Sequence, residues 1–508
     1  MGKRTLRESL SARKEFVYTL ELVPGRGSRG KNIDEVLRIA EQAAKSHLIH
    51  ALSITDNPGG HPALAPDMLG LEILRMGIEP LIHFTCKDKN RNQLESNLYA
   101  LDRHGISNLL VMTGDFPLYG FMGKAKPVFD LDSVQLIRFI NFLNQGRNID
   151  GKVPGDDIRV PLTHFFKGCN ISPFKKFEPE VMAQYYKFHN KLKVGADFVI
   201  TQLGYDARKF DEVVRYMRQH GIETPIIGNV YILNRAVAKV MNQGGVPGCV
   251  VTDDLYNICA EEAKANDKGK MARITRAAKL IAVLRGIGYN GVHIGGPNLS
   301  YEDIERVIEK SEEFFPHWEA WVPEFAFAPK DSFYYFEEDR KTRLNTDVPV
   351  TRKRRPRNAP SFAIMRLFHR AVFAHDAPLY HAAQWLFKKF DGTPLEEPVT
   401  ELEYWIKFVT SRCRRCGDCT LLEVAFLCPQ SQCAKYLFNG QCGGSVNGWC
   451  EVFPGKKKCI YVRAYNRLKP YGEEESLKRD CIPPRDWALD QISSWANYFL
   501  GRDHHSIE

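Results

Sequence analysis

From residue 17 to residue 294 the chain alternates between short β-branched or apolar runs and longer amphipathic segments, and this rhythm constrains its fold more than any other feature. Strands are predicted at Val17–Val23, Ala51–Thr55, Pro80–Thr85, Asn108–Thr113, Arg159–His164, Asp197–Gln202, Pro225–Val230 and Gly291–Ile294. Helical periodicity fills the intervals, as at Asn32–Ser46, Gln93–His104, Glu180–Lys193, Ala207–His220 and Lys270–Arg285. Eight such alternations predict an α/β chain with a parallel (β/α)8 barrel of the TIM type rather than an open sheet. Barrel enzymes build their sites at the C-terminal ends of the strands. Here those ends carry Glu21, Thr55, His83, Asp115 and Gln202, which would converge on one mouth.

At 508 residues the chain exceeds what a single core usually covers. The alternation breaks down after Trp318. Residues 1–320 are therefore read as the barrel and 321–360 as a basic, proline-containing linker with the run Arg352-Lys353-Arg354-Arg355-Pro356-Arg357. Residues 361–508 are read as a smaller helical and cysteine-rich metal-binding domain. Nine of the thirteen cysteines fall between Cys413 and Cys481. The first four read C-x2-C-x2-C-x8-C-P (Cys413, Cys416, Cys419, Cys428, Pro429), a density that packing does not explain. Zinc sites usually show two separated C-x2-C pairs, whereas three closely spaced cysteines and a remote Cys-Pro match a [4Fe–4S] binding run. Cys433, Cys442, Cys450 and Cys459 suffice for a second centre, with zinc as the alternative in either place. Cys481, Cys86, Cys169, Cys249 and Cys259 receive no assignment.

The net charge of +9 is mild for this length and is not spread as a stripe, which argues against nucleic acid as a partner. The basic run reads as a solvated loop. No stretch approaches the roughly 20 apolar residues of a membrane span, and Met1–Leu6 lacks a signal-peptide core and carries Leu6 where myristoylation requires Ser or Thr. A cytoplasmic protein is expected, in which clustered thiols hold metal rather than form disulfides.

Each motif admits a plainer reading. Gly25-x-Gly27-x-x-Gly30 matches a dinucleotide fingerprint, but Asp56 lies farther along than the usual acidic partner, so the glycines are read as a flexible first loop. Glu21 stands among apolar residues of an alternating strand, where burial would raise its pKa toward that of a general acid; a structural ion pair is the alternative. Asp115 follows Gly114 at a strand-to-loop transition and could equally cap a turn. His83 alone would be an ordinary core histidine.

The chain resembles the methylenetetrahydrofolate reductase family over residues 15–315. The resemblance is carried by Leu20-Glu21-Leu22-Val23-Pro24, Ile82-His83-Phe84-Thr85-Cys86, Gly114-Asp115-Phe116-Pro117 and Gly195–Gln202, in family order. The C-terminal part is similar to the cysteine-rich domain fused to, or partnered with, some reductases of this type. It shares Cys413-x-x-Cys416-Gly417-Asp418-Cys419, Cys428-Pro429, Asn439-Gly440-Gln441-Cys442-Gly443-Gly444 and Gly448-Trp449-Cys450.

The resemblance implies an oxidoreductase that binds FAD at the barrel mouth. It would reduce 5,10-methylenetetrahydrofolate to 5-methyltetrahydrofolate, a one-carbon step toward methionine biosynthesis. Glu21 would be the general acid, and Asp115 would act beside flavin and pterin. Gln202 would bind the pterin, and Thr55, His83 and Lys191 the flavin. Electrons would come from NAD(P)H or, through the cysteine domain, from a ferredoxin-like partner; a homo-oligomer stays open. Three segments depart from the family: Leu20, Leu22, Val23 and Gly25 in its Phe-Glu-Phe-Phe-Pro-Pro strand, Thr113 in its Arg-Gly-Asp, and Phe165–Asn170 where a Tyr-Pro-Glu-x-His-Pro segment is usual. Two rivals are a pterin-dependent methyltransferase barrel with structural zinc and a non-catalytic docking subunit of a one-carbon complex.

Overall fold

The computed structural model describes residues 4–118, 120–147, 162–350 and 360–506. Eight parallel strands close into a barrel in chain order. They are β1 (Val17–Leu22), β2 (Ala51–Ile54), β3 (Glu79–Thr85), β4 (Asn108–Met112), β5 (Phe166–Ile171), β6 (Phe198–Thr201), β7 (Ile226–Tyr231) and β8 (Gly291–Gly295). Helices at Lys31–Ser46, Arg91–Arg103, Glu178–Lys193, Ala207–Gln219 and Lys270–Ile287 occupy the intervals read as helical from periodicity.

Side chains alternate inward and outward along each strand. The inward set forms a lower layer of Val17, Ala51, Leu81, Leu110, Phe166, Phe198 and Ile227. A short helix, Leu6–Ala12, plugs this end with Leu6 and Leu10. A capping box at Thr5 and Glu8 starts that helix, and Glu79 at the foot of β3 accepts from the Leu6 amide at 2.7 Å.

The fifth strand lies later than the sequence suggests. Of the predicted Arg159–His164, residues 159–161 fall outside the described residues and 162–164 are irregular; the strand is Phe166–Ile171. Propensity alone disfavours this segment, which holds a lysine, a glycine and an asparagine. Packing decides it: a Cβ at Gly168 would lie 2.3 Å from the Phe198 ring, so the glycine leaves room for that ring inside the barrel. The basic run Arg352–Arg357 also falls outside the described residues.

Beyond β8 a helix spans Tyr301–Phe314, and an antiparallel ribbon, β9 (Phe336–Glu338) and β10 (Asn345–Pro349), follows. Arg208 of the Ala207–Gln219 helix donates to Asn345 Oδ1 at 2.8 Å and to the Phe336 oxygen at 2.9 Å, fixing the ribbon there. Helices at Pro360–Val372, Tyr380–Phe390 and Glu396–Ser411 lead into the cysteine-rich loops and a helix at Ile460–Leu468.

This C-terminal part sits on the barrel's rim. Asp132, the N-cap of the Ser133–Asn144 helix, accepts from the amides of Phe438 and Asn439 at 3.1 and 2.8 Å. Gln135 donates to the oxygens of Ile482 and Pro483, each at 3.0 Å. Tyr465 reaches Glu178 at 2.8 Å. The Glu178–Lys193 helix is thereby covered on both sides, which accounts for its buried Glu180, Lys187 and Lys191. Among the described residues no helix is long and apolar enough to cross a membrane.

Candidate active site and cysteine centres

Above the apolar floor of the barrel, the inward positions turn polar. Glu21 of β1, His83 of β3 and His293 of β8 each bring one ligand-type atom within 4.8 Å of the others. His83 Nε2 lies 2.6 Å from Ser53 Oγ, and His293 Nδ1 lies 2.9 Å from Thr19 Oγ1, so both rings are held from below. Burial pushes the Glu21 carboxyl up to about 7. Burial also lowers His83 to about 4, against the pull of Asp56, and lowers His293 to about 3, with His83 adding to the effect. At neutral pH the imidazoles are therefore uncharged, and Glu21 stands where it can both hold and release a proton. Gly295 makes room for it: a Cβ there would lie 2.7 Å from the Glu21 carboxylate.

The rim loops add the next groups. Asp115 Oδ2 accepts from the Gly59 amide at 2.8 Å, which joins the loops after β2 and β4. A Cβ at Gly60 would lie 2.5 Å from the Phe116 oxygen, so these loops touch through backbone. Thr55, at the end of β2, is buried, and among the described residues its Oγ1 has no hydrogen-bond partner. Gln202 closes β6, with its side-chain oxygen on the Leu203 amide at 2.9 Å. Lys191 binds Asn170 at the end of β5 through both the main-chain oxygen and Oδ1, each at 2.6 Å. Burial brings it down to about 8, with Cys169 opposing. Glu21 and His83 thus share one cluster, Thr55, Asp115 and Gln202 surround it at the rim, and Lys191 stands at β5.

Sequence reasoning missed His293 and Ser53. Strand alternation held the signal: each has the inward parity of Glu21 on a strand already recognised. Asp56 accepts from Thr85 at 2.6 Å and Lys89 at 2.8 Å, as part of the barrel.

All thirteen cysteines are free thiols. Cys413, Cys416, Cys419 and Cys428 line a common cavity with Lys407, whose ammonium lies 3.2 Å from Cys419 Sγ and 3.1 Å from Glu403. The cavity depends on Gly417 in the left-handed region, where a Cβ would collide with the Leu489 oxygen. Cys433, Cys442, Cys450 and Cys459 form the second set. Main-chain amides point at these sulfurs: those of Gln430 and Ser431 at Cys428, of Lys435 and Leu437 at Cys433, of Gly444 at Cys442, and of Tyr461 and Val462 at Cys459. Burial raises the thiols of Cys433, Cys442 and Cys459, Cys442 to about 12. Among the described residues no three cysteine sulfurs approach within 4.8 Å of one another. Cys481 is buried apart, its main-chain oxygen accepting from Arg138 at 3.2 Å.

A cleft of about 990 Å³ opens between the loop after β4 and the second cysteine set. Phe116, Lys126 and Phe129 line one side, and Cys433, Tyr436 and Lys457 the other.

The fold and mouth define a closed (β/α)8 barrel with a carboxyl–imidazole cluster of two buried histidines and a half-buried glutamate, and a thiol-rich module on its rim. A family model described as methylenetetrahydrofolate reductase matches residues 5–311, and one described as methylene-tetrahydrofolate reductase C terminal matches residues 393–488. The chain belongs to the methylenetetrahydrofolate reductase family.

It is similar to a probable methylenetetrahydrofolate reductase (NADPH) of Caenorhabditis elegans, 25% identical over 287 residues, 54% of this chain and 39% of the relative. A probable methylenetetrahydrofolate reductase (NADH) of Oryza sativa subsp. japonica is 29% identical over 165 residues, 31% of this chain and 25% of the relative. The chain thus spans well under half the length of the curated relatives it matches. A solved structure from Clostridium thermocellum, described as an uncharacterized protein that binds two copies of 5-methyl-5,6,7,8-tetrahydrofolic acid, aligns at 12% identity and a TM-score of 0.40. The alignment covers 61% of this chain and 99% of that one.

Proposed function

We propose that this chain reduces 5,10-methylenetetrahydrofolate to 5-methyltetrahydrofolate with FAD at the barrel mouth, drawing its electrons through the cysteine-rich module. The observation that carries the reading is Glu21: a carboxyl poised at about 7 and flanked by two neutral imidazoles at the mouth. Bound FAD would supply the hydride. Glu21 would give a proton to N10 of the substrate, breaking the bond from N10 to the bridging carbon and leaving an iminium at N5 as the hydride acceptor. His83 and His293, held by Ser53 and Thr19, would keep the carboxyl in place without drawing off its proton.

The mouth suits a flavin on its own geometry. Among the described residues the buried Thr55 hydroxyl has no hydrogen-bond partner, which leaves it available to a flavin. Thr55, His83 and Asp115 would hold the flavin, Gln202 the pterin, and Lys191 would order the β5 end of the mouth through Asn170.

The C-x2-C-x2-C-x8-C-P spacing favours an iron–sulfur cluster on Cys413, Cys416, Cys419 and Cys428, and Cys433, Cys442, Cys450 and Cys459 offer four thiols for a second. Amides aimed at sulfur are what such clusters need to tune their potential. The second set abuts the mouth: Lys175, just past β5, donates to the oxygens of Gly443 and Ser445. The module thereby closes on the β5 side of the mouth, which supports electron entry through thiol-bound metal rather than from NAD(P)H.

The test is anaerobic purification with flavin and iron analysis, followed by assay with a dithionite-reduced ferredoxin-type donor. Bound FAD, cluster iron and formation of 5-methyltetrahydrofolate are expected. A colourless protein that fails to bind FAD and leaves the folate unreduced would overturn the reading.

A further inference from the structure

The last described residues of the chain return to the loop between Cys419 and Cys428 and meet it at a second carboxylate–imidazole cluster. Glu423, His504 and His505 each place one ligand-type atom within 4.8 Å of the others. His505 Nε2 lies 2.8 Å from Glu423 Oε1, and His504 Nε2 lies 3.7 Å from the same oxygen. The opposite ring nitrogens are each held by a separate carboxylate. His504 Nδ1 lies 2.5 Å from Asp418 Oδ1, and His505 Nδ1 lies 3.1 Å from Asp503 Oδ2.

That is the two-shell pattern of a metal site, in which an outer carboxylate fixes each imidazole's tautomer and turns its other nitrogen toward the ion. A second observation points the same way. The side chains of Glu423 and His504 are each only 8% exposed, and among the described residues Glu423 Oε2 and His504 Nε2 have no hydrogen-bond partner. A buried polar atom left without a partner is costly, so two in one three-residue cluster call for something between them.

We infer that Glu423, His504 and His505 bind one divalent transition-metal ion of the zinc class, separate from the cysteine-ligated centres. Two imidazoles and a carboxylate suit zinc, cobalt or nickel, whereas calcium and magnesium favour all-oxygen sites. Three protein ligands leave a further position open. His505 also lines an apolar cavity of about 110 Å³ with Phe373, Phe426, Trp495 and Tyr498, which gives that position a side to face. The ion would pin the C-terminal tail to the loop that carries Cys419 and Cys428, bracing the first thiol set from outside. The competing arrangement is a metal-free nest in which two protonated imidazoles, with ring centroids 4.0 Å apart, balance the three carboxylates.

The experiment is equilibrium dialysis of the full-length, anaerobically purified protein against buffered Zn2+, with zinc and iron measured by elemental analysis. The wild type should retain one more zinc per chain than the double variant His504→Gln/His505→Gln, with equal iron in both. Equal zinc in the two proteins overturns the inference and favours the protonated nest. Should the double variant not fold, Asp503→Asn keeps all three ligands and removes one orienting carboxylate. It should weaken zinc binding about 10- to 100-fold, and unchanged affinity overturns the inference equally.

Discussion

Lys435, between Cys433 and Cys442, donates from Nζ to the main-chain oxygen of Gly114 at 2.7 Å, one residue before Asp115. The same buried ammonium pairs with Glu451, whose Oε1 in turn accepts from Cys442 Sγ at 3.3 Å. A line of contact therefore runs from the second thiol set to the rim of the barrel. Glu451 depends on a glycine to fit, since a Cβ at Gly444 would coincide with its carboxylate.

This pair makes the first prediction. Lys435→Met should leave Glu451 buried and uncompensated, a change that costs roughly 3–5 kcal/mol in such pairs. The double variant Lys435→Met/Glu451→Gln removes both charges and should recover most of that loss. Anaerobic urea unfolding measures both. A single variant within about 0.5 kcal/mol of wild type, the range of ordinary surface changes, would show that the pair does not hold the module down.

Thr55 yields a prediction in which stability and binding separate. Its buried hydroxyl has no partner among the described residues, so Thr55→Val removes an unsatisfied polar group at nearly constant shape. The flavin-free protein should be as stable as wild type or slightly more so. A flavin hydrogen bond worth about 0.5–1.5 kcal/mol would be lost, weakening FAD binding about 2- to 10-fold. Fluorescence titration of the flavin-free protein with FAD gives the answer, and undiminished affinity would remove Thr55 from the flavin site.

The two thiol sets should be separable. Cys413→Ser should abolish the iron of the first set and leave that of the second; Cys459→Ser should do the reverse. Iron and acid-labile sulfide analysis would read each variant at about half the wild-type content if both sets hold a [4Fe–4S] cluster. Unchanged iron in either variant would strike that set from the ligands.

How much of this was legible depended on whether the signal was local. β1–β4 and β6–β8 announce themselves as apolar runs ending in polar residues, and Glu21, Thr55, His83, Asp115 and Gln202 fall out of those endings. β5 does not, because Lys167, Gly168 and Asn170 argue against a strand until the Phe198 ring is seen to need the glycine's empty side. The cysteine sets are visible in spacing. Their seat on the barrel is not, because Asp132, Lys175 and Lys435 make their contacts across long stretches of chain. The same distance hid Glu423 from His504 and His505.

Gly168 itself is testable. Gly168→Ala would place a methyl group 2.3 Å from a fully buried ring, and overpacking of this kind costs typically 1–3 kcal/mol. Adding Phe198→Leu should relieve part of the cost by vacating the ring's space. If Gly168→Ala alone leaves the thermal midpoint unmoved, the ring and the glycine do not share the barrel interior as described.

Glu21 gives the pH dependence. Its carboxyl sits at about 7 in the folded protein against an ordinary value of 4.5, raised by burial. The folded state therefore binds this proton more tightly than the unfolded state does. The resulting stabilisation is fully present below about pH 4.5 and is lost as pH rises through about 7, a swing of about 3 kcal/mol at 1.36 kcal/mol per pKa unit. Catalysis should follow the same proton, with folate reduction falling on the alkaline side of about pH 7. Glu21→Gln should flatten that limb, lower the rate about 10²- to 10⁴-fold as loss of a general acid does, and remove the matching pH dependence of unfolding. Reduction of bound flavin by the donor, which needs no proton from Glu21, should continue in the variant. A variant that still reduces the folate at the wild-type rate above and below pH 7 would show that the proton comes from elsewhere.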